Sequence, residues 1–264
     1  MKLGFIGCGN MGEAMLAGII DAKEVRVEDI CASCRTASTR EKLQTKYRIN
    51  TTPDNLRCAE FADIIFLAVK PQFYEDVIWQ IRSALTEGKT LISMAPGKTL
   101  NWLERAVGHP CKIIRTMPNT PSMVKEGMMG ICANEKVPYE ELEKFRYLCN
   151  SFSKTEVISE ALMDVVTAVS GSSPAYVFMF IEAMADAAVE GGMPRSQAYT
   201  FAAQAVLGSA KMILETGKHP GELKDMVCSP GGTTIQAVRV LEEKGMRAAV
   251  MDAMKTCLDK SRNM

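Results

Sequence analysis

The sequence predicts an α/β protein: a doubly wound sheet over residues 1–159, followed by an all-α domain over residues 160–264. Three observations carry this. Short apolar runs alternate with helix-periodic segments in the first part of the chain, as expected of strands joined by crossover helices. Strand signals stop near Glu160, where Ala- and Met-rich helical segments take over. At the amino terminus an apolar run breaks at Gly7, and a helical pattern follows.

That junction comes first. Leu3–Ile6 reads as a buried strand, Gly7, Gly9 and Gly12 have the G-x-G-x-x-G spacing, and 13–20 reads as a helix. In this context the spacing has a physical use. Gly7 allows a tight turn, Gly9 leaves room for a pyrophosphate, and Gly12 lets helix and strand pack closely. The free N–H groups and positive dipole end of the helix then face the anion. The domain is therefore expected to be Rossmann-like and to bind a dinucleotide.

Residues 27–32 read as a second strand and 36–47 as a charged surface helix. The near-continuous apolar run 62–69, ending at Lys70-Pro71, suits a central strand buried on both faces. A helix over 73–85, a strand over 90–95 closed by Pro96-Gly97 and a helix over 100–107 follow. Then come strands over 111–116 and 128–133 and a helix over 139–152. Beyond Glu160 helices are expected at 174–190, from Pro194 to Thr216, at 233–244 and at 246–260. The 174–190 helix is apolar on nearly all sides and should be buried all round. A helical dimer sharing that surface between subunits is the expectation.

Bulk properties narrow the function. Lys plus Arg and Asp plus Glu both number 31, so no basic excess supports a nucleic-acid or membrane-surface role. The run 175–189 is interrupted by Glu182 and Asp186, which argues against a membrane span. No leader pattern is read at the amino terminus, and the 9 cysteines have no framework spacing. A cytoplasmic protein is expected. Cys31 and Cys34 form a lone C-x-x-C, and the two histidines, His109 and His219, each adjoin a proline. No metal is expected.

Ligands of doubly wound sheets lie beyond the carboxyl ends of the strands. This gathers 7–12, 33–36, 70–71, 94–97 and 117–121 around one crevice. An NAD site usually carries an acid about 20 residues beyond the glycines. Here Ser33-Cys34-Arg35-Thr36 stands there, with no acid until Glu41. Arg35, with Arg40 as a second candidate, suits a 2′-phosphate, so NADPH is favoured and NADH is the alternative.

Three further stretches carry a family resemblance: Met117-Pro118-Asn119-Thr120-Pro121, Ser170-Gly171-Ser172-Ser173-Pro174-Ala175-Tyr176, and 223–235 with Ser229-Pro230-Gly231-Gly232-Thr233-Thr234. With the amino terminus they resemble pyrroline-5-carboxylate reductase, in order and along the whole chain. The resemblance implies hydride transfer from NADPH or NADH to the C=N carbon of 1-pyrroline-5-carboxylate, giving L-proline in the last step of proline biosynthesis. It also implies a homodimer that can assemble into a decamer.

Carried over by motif, pyrophosphate contacts fall on Ile6, Gly7, Cys8, Gly9, Asn10, Met11 and Gly12. Adenosine-phosphate contacts fall on Ser33, Cys34, Arg35, Thr36 and Asn55. Ala68, Val69, Lys70 and Pro71, with Met94, Ala95 and Pro96, flank the nicotinamide half. The substrate pocket falls on Ser229, Gly231, Gly232, Thr233 and Thr234, with Glu160 and Thr167 more loosely implied. Cys34, Pro96 and Ser173 depart from the residues frequent in the family.

The residues suit that chemistry. Gly231–Thr234 opens a helix, so its free N–H groups form a carboxylate site, and Thr234 can place a hydroxyl at the ring nitrogen as the catalytic residue. A β-hydroxyacid dehydrogenase has a similar amino terminus, but it needs a lysine base that the 174–190 helix lacks. A non-catalytic NADP-sensing module would leave the 229–234 loop without a reason.

Overall fold

The computed structural model describes residues 1–263. Two compact units divide it: residues 1–172 with the end of the chain from Cys257, and residues 173–256. The composition changes at 160, whereas compactness changes after Ser172, and the chain end returns to the first unit.

The first unit is an eight-stranded sheet in the order β3-β2-β1-β4-β5-β6-β7-β8. Its strands are β1 (Leu3–Ile6), β2 (Ile30–Ser33), β3 (Asn50–Thr52), β4 (Ile64–Leu67), β5 (Thr90–Ser93), β6 (Lys112–Met117), β7 (Gly127–Ala133) and β8 (Ser153–Val157). Neighbours run parallel except β6 and β7. Interleaved are α1 (Asn10–Ala22), α2 (Ala37–Tyr47), α3 (Asn55–Phe61), α4 (Tyr74–Ile81), α5 (Leu100–Val107) and α6 (Tyr139–Cys149).

Alternate strand residues feed two separate cores. Leu3, Phe5, Phe66, Ile92 and Ile114 pack with α1 and α6 on one face. Ile6, Ile65, Leu67, Leu91 and Ile113 pack with α3, α4 and α5 on the other. Burial on both faces is why these strands read as continuous apolar runs rather than alternations. Phe5 and Phe66 stack with ring centroids 4.5 Å apart.

The elements that sequence patterning passes over lie mainly at the sheet edges. β3 (Asn-Thr-Thr) and β8 (Ser-Lys-Thr-Glu-Val) are polar and half-exposed, so they carry no apolar signal. α3 is 7 residues long, too short for a helical period, and is set by Asp54, whose side chain accepts from Leu56 N and Arg57 N. The expected strand at 27–32 begins with a 3₁₀ turn over Val27–Asp29.

After β8 a short helix, α7 (Met163–Val166), passes into a π-helical turn over Thr167–Gly171. The second unit contains α8 (Ser173–Glu190), α9 (Arg195–Thr216), α10 (Pro220–Val227), α11 (Thr233–Glu243) and most of α12 (Met246–Arg262). α8 and α9 form a hairpin, turned at Gly192 with φ +94. Pro194 caps α9 rather than opening it, because its extended ψ of 137° keeps it outside the helix. Within this chain α8 is not buried all round: Phe178 and Met179 are 62% and 69% exposed. By length and composition alone, Glu160–Glu190 passes for a membrane-crossing stretch, with mean hydropathy 1.2.

Candidate active site

The sheet order reverses at β1, which leads to β2 on one side and lies against β4 on the other. Register brings Ile6, Ser33 and Leu67 level. The chain continues from each in step: Gly7 N donates to Ser33 O (2.8 Å), Ala68 N to Ile6 O (2.8 Å) and Cys34 N to Thr52 O (3.1 Å). Their following loops therefore surround one groove of about 700 Å³.

The glycine turn is shaped as the spacing implies. Gly7 has φ +78, and a Cβ there would lie 2.6 Å from Val69 Cγ1. A Cβ on Gly12 would lie 2.9 Å from Ala68 Cβ, so helix and sheet close only over glycine. Gly9 differs, since its Cβ would meet nothing within 4 Å. That space is open to a ligand rather than filled by protein. Gly9 caps α1 without any side-chain bond, which leaves the first N–H groups facing it. The helix starts at Asn10, earlier than the expected residue 13. These residues fit a pyrophosphate.

Of the expected cofactor residues, Gly7, Cys8, Gly9, Ser33, Cys34, Arg35, Thr36, Asn55, Ala68, Val69 and Lys70 line this groove. Ile6 is in the core beneath it, and Asn10, Met11 and Gly12 lie along the start of α1. Pro71 opens a 3₁₀ turn that leads to α4. Met94, Ala95 and Pro96 follow β5 outside the groove lining, and Tyr74 sets their path. Its buried hydroxyl donates to Leu67 O (2.7 Å) and accepts from Met94 N (3.2 Å), stitching the ends of β4 and β5. Burial pushes that phenol up to about 12.

The far wall was not read from sequence. Gln72, Phe73, Asp76, Val77 and Gln80 reach the groove from α4 and its entry turn, with Thr39 and Pro53 opposite. Spacing around α4 would place Asp76, Val77 and Gln80 on one helix face, but nothing in sequence says that face lines a cleft. Gln80 Oε1 accepts from Asn55 Nδ2 (2.8 Å), and Asn55 Oδ1 accepts from Ser33 Oγ (2.7 Å). This chain of bonds holds Ser33 against the wall.

Burial pushes the Cys8 thiol up to about 12 and raises Cys34 as well, so neither is a thiolate at neutral pH. The C-x-x-C pair is not a pair in space: Cys34 faces the groove, while Cys31 O accepts from Cys58 Sγ (3.5 Å) in the opposite core. Behind the glycine turn, Glu13 accepts from Lys42 Nζ (2.7 Å), Lys46 Nζ (2.9 Å) and Tyr47 Oη (3.0 Å), clasping α1 to α2. Burial would raise its carboxyl, but these three partners outweigh it and hold it at about 2.

Two of the motif stretches meet in the first unit. Asn119, buried after β6, donates to Ser170 O (3.0 Å) and accepts from Met128 N (2.9 Å). It ties the π-helical turn to the start of β7. Glu160 accepts at one oxygen from buried Arg115 (2.9 Å) and Leu100 N (2.7 Å). Thr167 donates its hydroxyl to Met163 O (3.0 Å).

The Ser229–Thr234 stretch belongs to the second unit. Gly231 has φ +70, Gly232 N donates to Ser229 O (3.0 Å), and a Cβ on Gly232 would lie 2.4 Å from Ser229 Oγ. Gly232 caps α11 with no side-chain bond, so the first N–H groups of an 11-residue helix are free for an anion. Thr234 Oγ1 has no hydrogen-bond partner among the described residues.

Fold and groove define a dinucleotide-binding protein with a separate helical unit. The comparisons give the class more closely. Residues 2–97 match the family model described as NADP oxidoreductase, coenzyme F420-dependent, and residues 160–264 match the model for pyrroline-5-carboxylate reductase dimerisation. The pyrroline-5-carboxylate reductase of Escherichia coli strain K12 is 54% identical, covering 100% of this chain and 98% of that enzyme. That of Methanosarcina acetivorans is 44% identical, covering 100% and 97%. The crystal structure of the Plasmodium falciparum pyrroline carboxylate reductase with NADP bound superposes with a TM-score of 0.91, at 34% identity over 100% of this chain and 97% of that one. The chain belongs to the pyrroline-5-carboxylate reductase family.

Proposed function

We propose that this chain reduces the C=N bond of 1-pyrroline-5-carboxylate to L-proline with NADPH, the last step of proline biosynthesis. The observation that carries the reading is the 54% identity over 100% of this chain and 98% of the Escherichia coli enzyme. When bound, the nicotinamide supplies the hydride.

The chain's residues do the rest. The free N–H groups at Gly9–Met11 hold the pyrophosphate, and Arg35 and Thr36 hold the 2′-phosphate where an NAD enzyme would carry an acid, with Ser33 braced on Asn55 beneath them. Residues 68–71 and 94–96 bound the nicotinamide half. N–H groups of Thr233 and Thr234 hold the substrate carboxylate without an arginine, while Gly232 N is spent on Ser229 O and shapes the turn. Thr234 Oγ1, without a hydrogen-bond partner among the described residues, hydrogen-bonds the ring nitrogen and holds a proton there. Ser229 backs that turn, while Glu160 and Thr167, both already bonded to protein, hold the wall of the substrate site. Residues 1–159 serve as the cofactor domain and 160–264 as the dimer and substrate domain.

A homodimer, able to assemble into a decamer, is supported by the dimerisation model over 160–264 and by the uncovered apolar face of α8. A second copy, rather than a lipid bilayer, covers that face, since Glu182 and Asp186 interrupt it. All 9 cysteines are free, which supports a reducing, cytoplasmic setting. Mixing the purified protein with NADPH and pyrroline-5-carboxylate and following absorbance is the test. No loss of NADPH would sink the reading, and a higher kcat/KM with NADH would sink the role given to Arg35.

A further inference from the structure

The two arginines that the sequence offers to a 2′-phosphate are used differently. Arg35 is exposed at the groove, and its side chain has no hydrogen bond or ion pair among the described residues. Arg40, half-buried on α2, turns back: its Nη1 donates to Cys34 O (2.7 Å) and Arg35 O (3.1 Å). Thr36 closes the same turn from the other side, its Oγ1 accepting from Thr39 N (3.4 Å).

A peptide is planar, so a carbonyl held on one side sends the next N–H to the other. Fixing Cys34 O and Arg35 O therefore fixes the N–H groups of Arg35 and Thr36, neither of which has a backbone partner. It also fixes the Cα from which the Arg35 side chain leaves. The α2 helix that carries Arg40 is itself clasped to the glycine-turn helix by Glu13.

We propose that Arg40 is a positioning residue for cofactor selectivity: it holds the 34–35 backbone so that Arg35 is presented to the 2′-phosphate, without touching the cofactor itself. This rests on the reading of the chain as an NADPH-dependent reductase. One nitrogen of the guanidinium, Nη1, carries two N–H groups and gives one to each carbonyl, so a single group fixes both peptides.

The test is calorimetric titration of NADPH and NADH, without substrate, into the wild type, Arg35→Gln, Arg40→Gln and the double variant. Arg40→Gln is expected to weaken NADPH about tenfold, the scale of one charge-assisted hydrogen bond, and NADH by less than about twofold. In the Arg35→Gln background the same change should add less than about twofold, because Arg40 acts through Arg35. Arg40→Lys should restore part of the loss, and it replaces Arg40→Gln if that variant does not fold.

Losses that add in the double variant would mean that Arg40 meets the phosphate directly, and would overturn the proposal. Equal weakening of both cofactors, or none, would also overturn it. So would a wild type that binds NADH more tightly than NADPH. A wild type that binds NADPH yet does not consume pyrroline-5-carboxylate would instead defeat the proposed function, and the binding cycle would still decide the role of Arg40.

Discussion

The two units of this chain solve burial in opposite ways. The first covers both faces of its sheet with its own helices and closes two cores. The second, among the described residues, buries only the apolar side chains of Ala185, Ala198 and Ala202, while Phe201 is 65% and Leu214 71% exposed. Helices of this composition cannot be held by so little interior. The first unit closes its cores within one chain, whereas the second unit leaves much of its apolar helix surface uncovered within that chain. The same contrast runs through the site, where the cofactor groove is built and braced by the first unit alone.

The sharpest way to break this comparison is in α8. Phe178→Asp should dissociate the proposed homodimer, read by light scattering at micromolar concentration beside the wild type; a variant that stays dimeric would remove α8 from the interface. Next comes the first unit's core. Phe66→Ala should cost about 3–5 kcal/mol in denaturant unfolding, without changing the oligomer in the native baseline. A cost below about 1 kcal/mol would mean the stacked Phe5–Phe66 pair is not part of a tight core.

Thr234→Ala should lower kcat about 100-fold, as expected for loss of a group that holds a proton at a reacting atom. NADPH binding should be unchanged, because that groove belongs to the first unit. Unchanged turnover would take Thr234 out of the mechanism.

The smallest effect is on the Glu13 clasp. Glu13 is held at about 2 against an ordinary value of 4.5, so its folded value is depressed. The stability it contributes is present above about pH 4.5 and is lost as pH falls towards 2. Wild type should therefore exceed Glu13→Gln in denaturant midpoint at neutral pH, and the gap should narrow below about pH 4.5 and close only at about pH 2. A gap that does not close would show that the charge is not what holds α1 to α2.

Much of the site was legible because its residues lie next to one another in sequence. The glycine turn, the acid-free end of β2 and the Ser229–Thr234 stretch are each local, and each signals its backbone shape through glycine, proline or hydroxyl residues. The α4 wall was not legible: Asp76 and Gln80 look like any polar face of a surface helix. Nor was the difference between Arg35 and Arg40, since both are basic residues near one strand end. Only the path of the backbone shows that one is free and the other spent on carbonyls.

Sequence alone determined the alternation of strands and helices, the dinucleotide turn and the change to all-helical structure near Glu160, because local periodicity and turn chemistry encode these directly. Tertiary structure decided the polar edge strands β3 and β8, the antiparallel β7, the α4 wall and the commitment of Arg40. Those depend on which distant segment arrives alongside, which no local pattern carries.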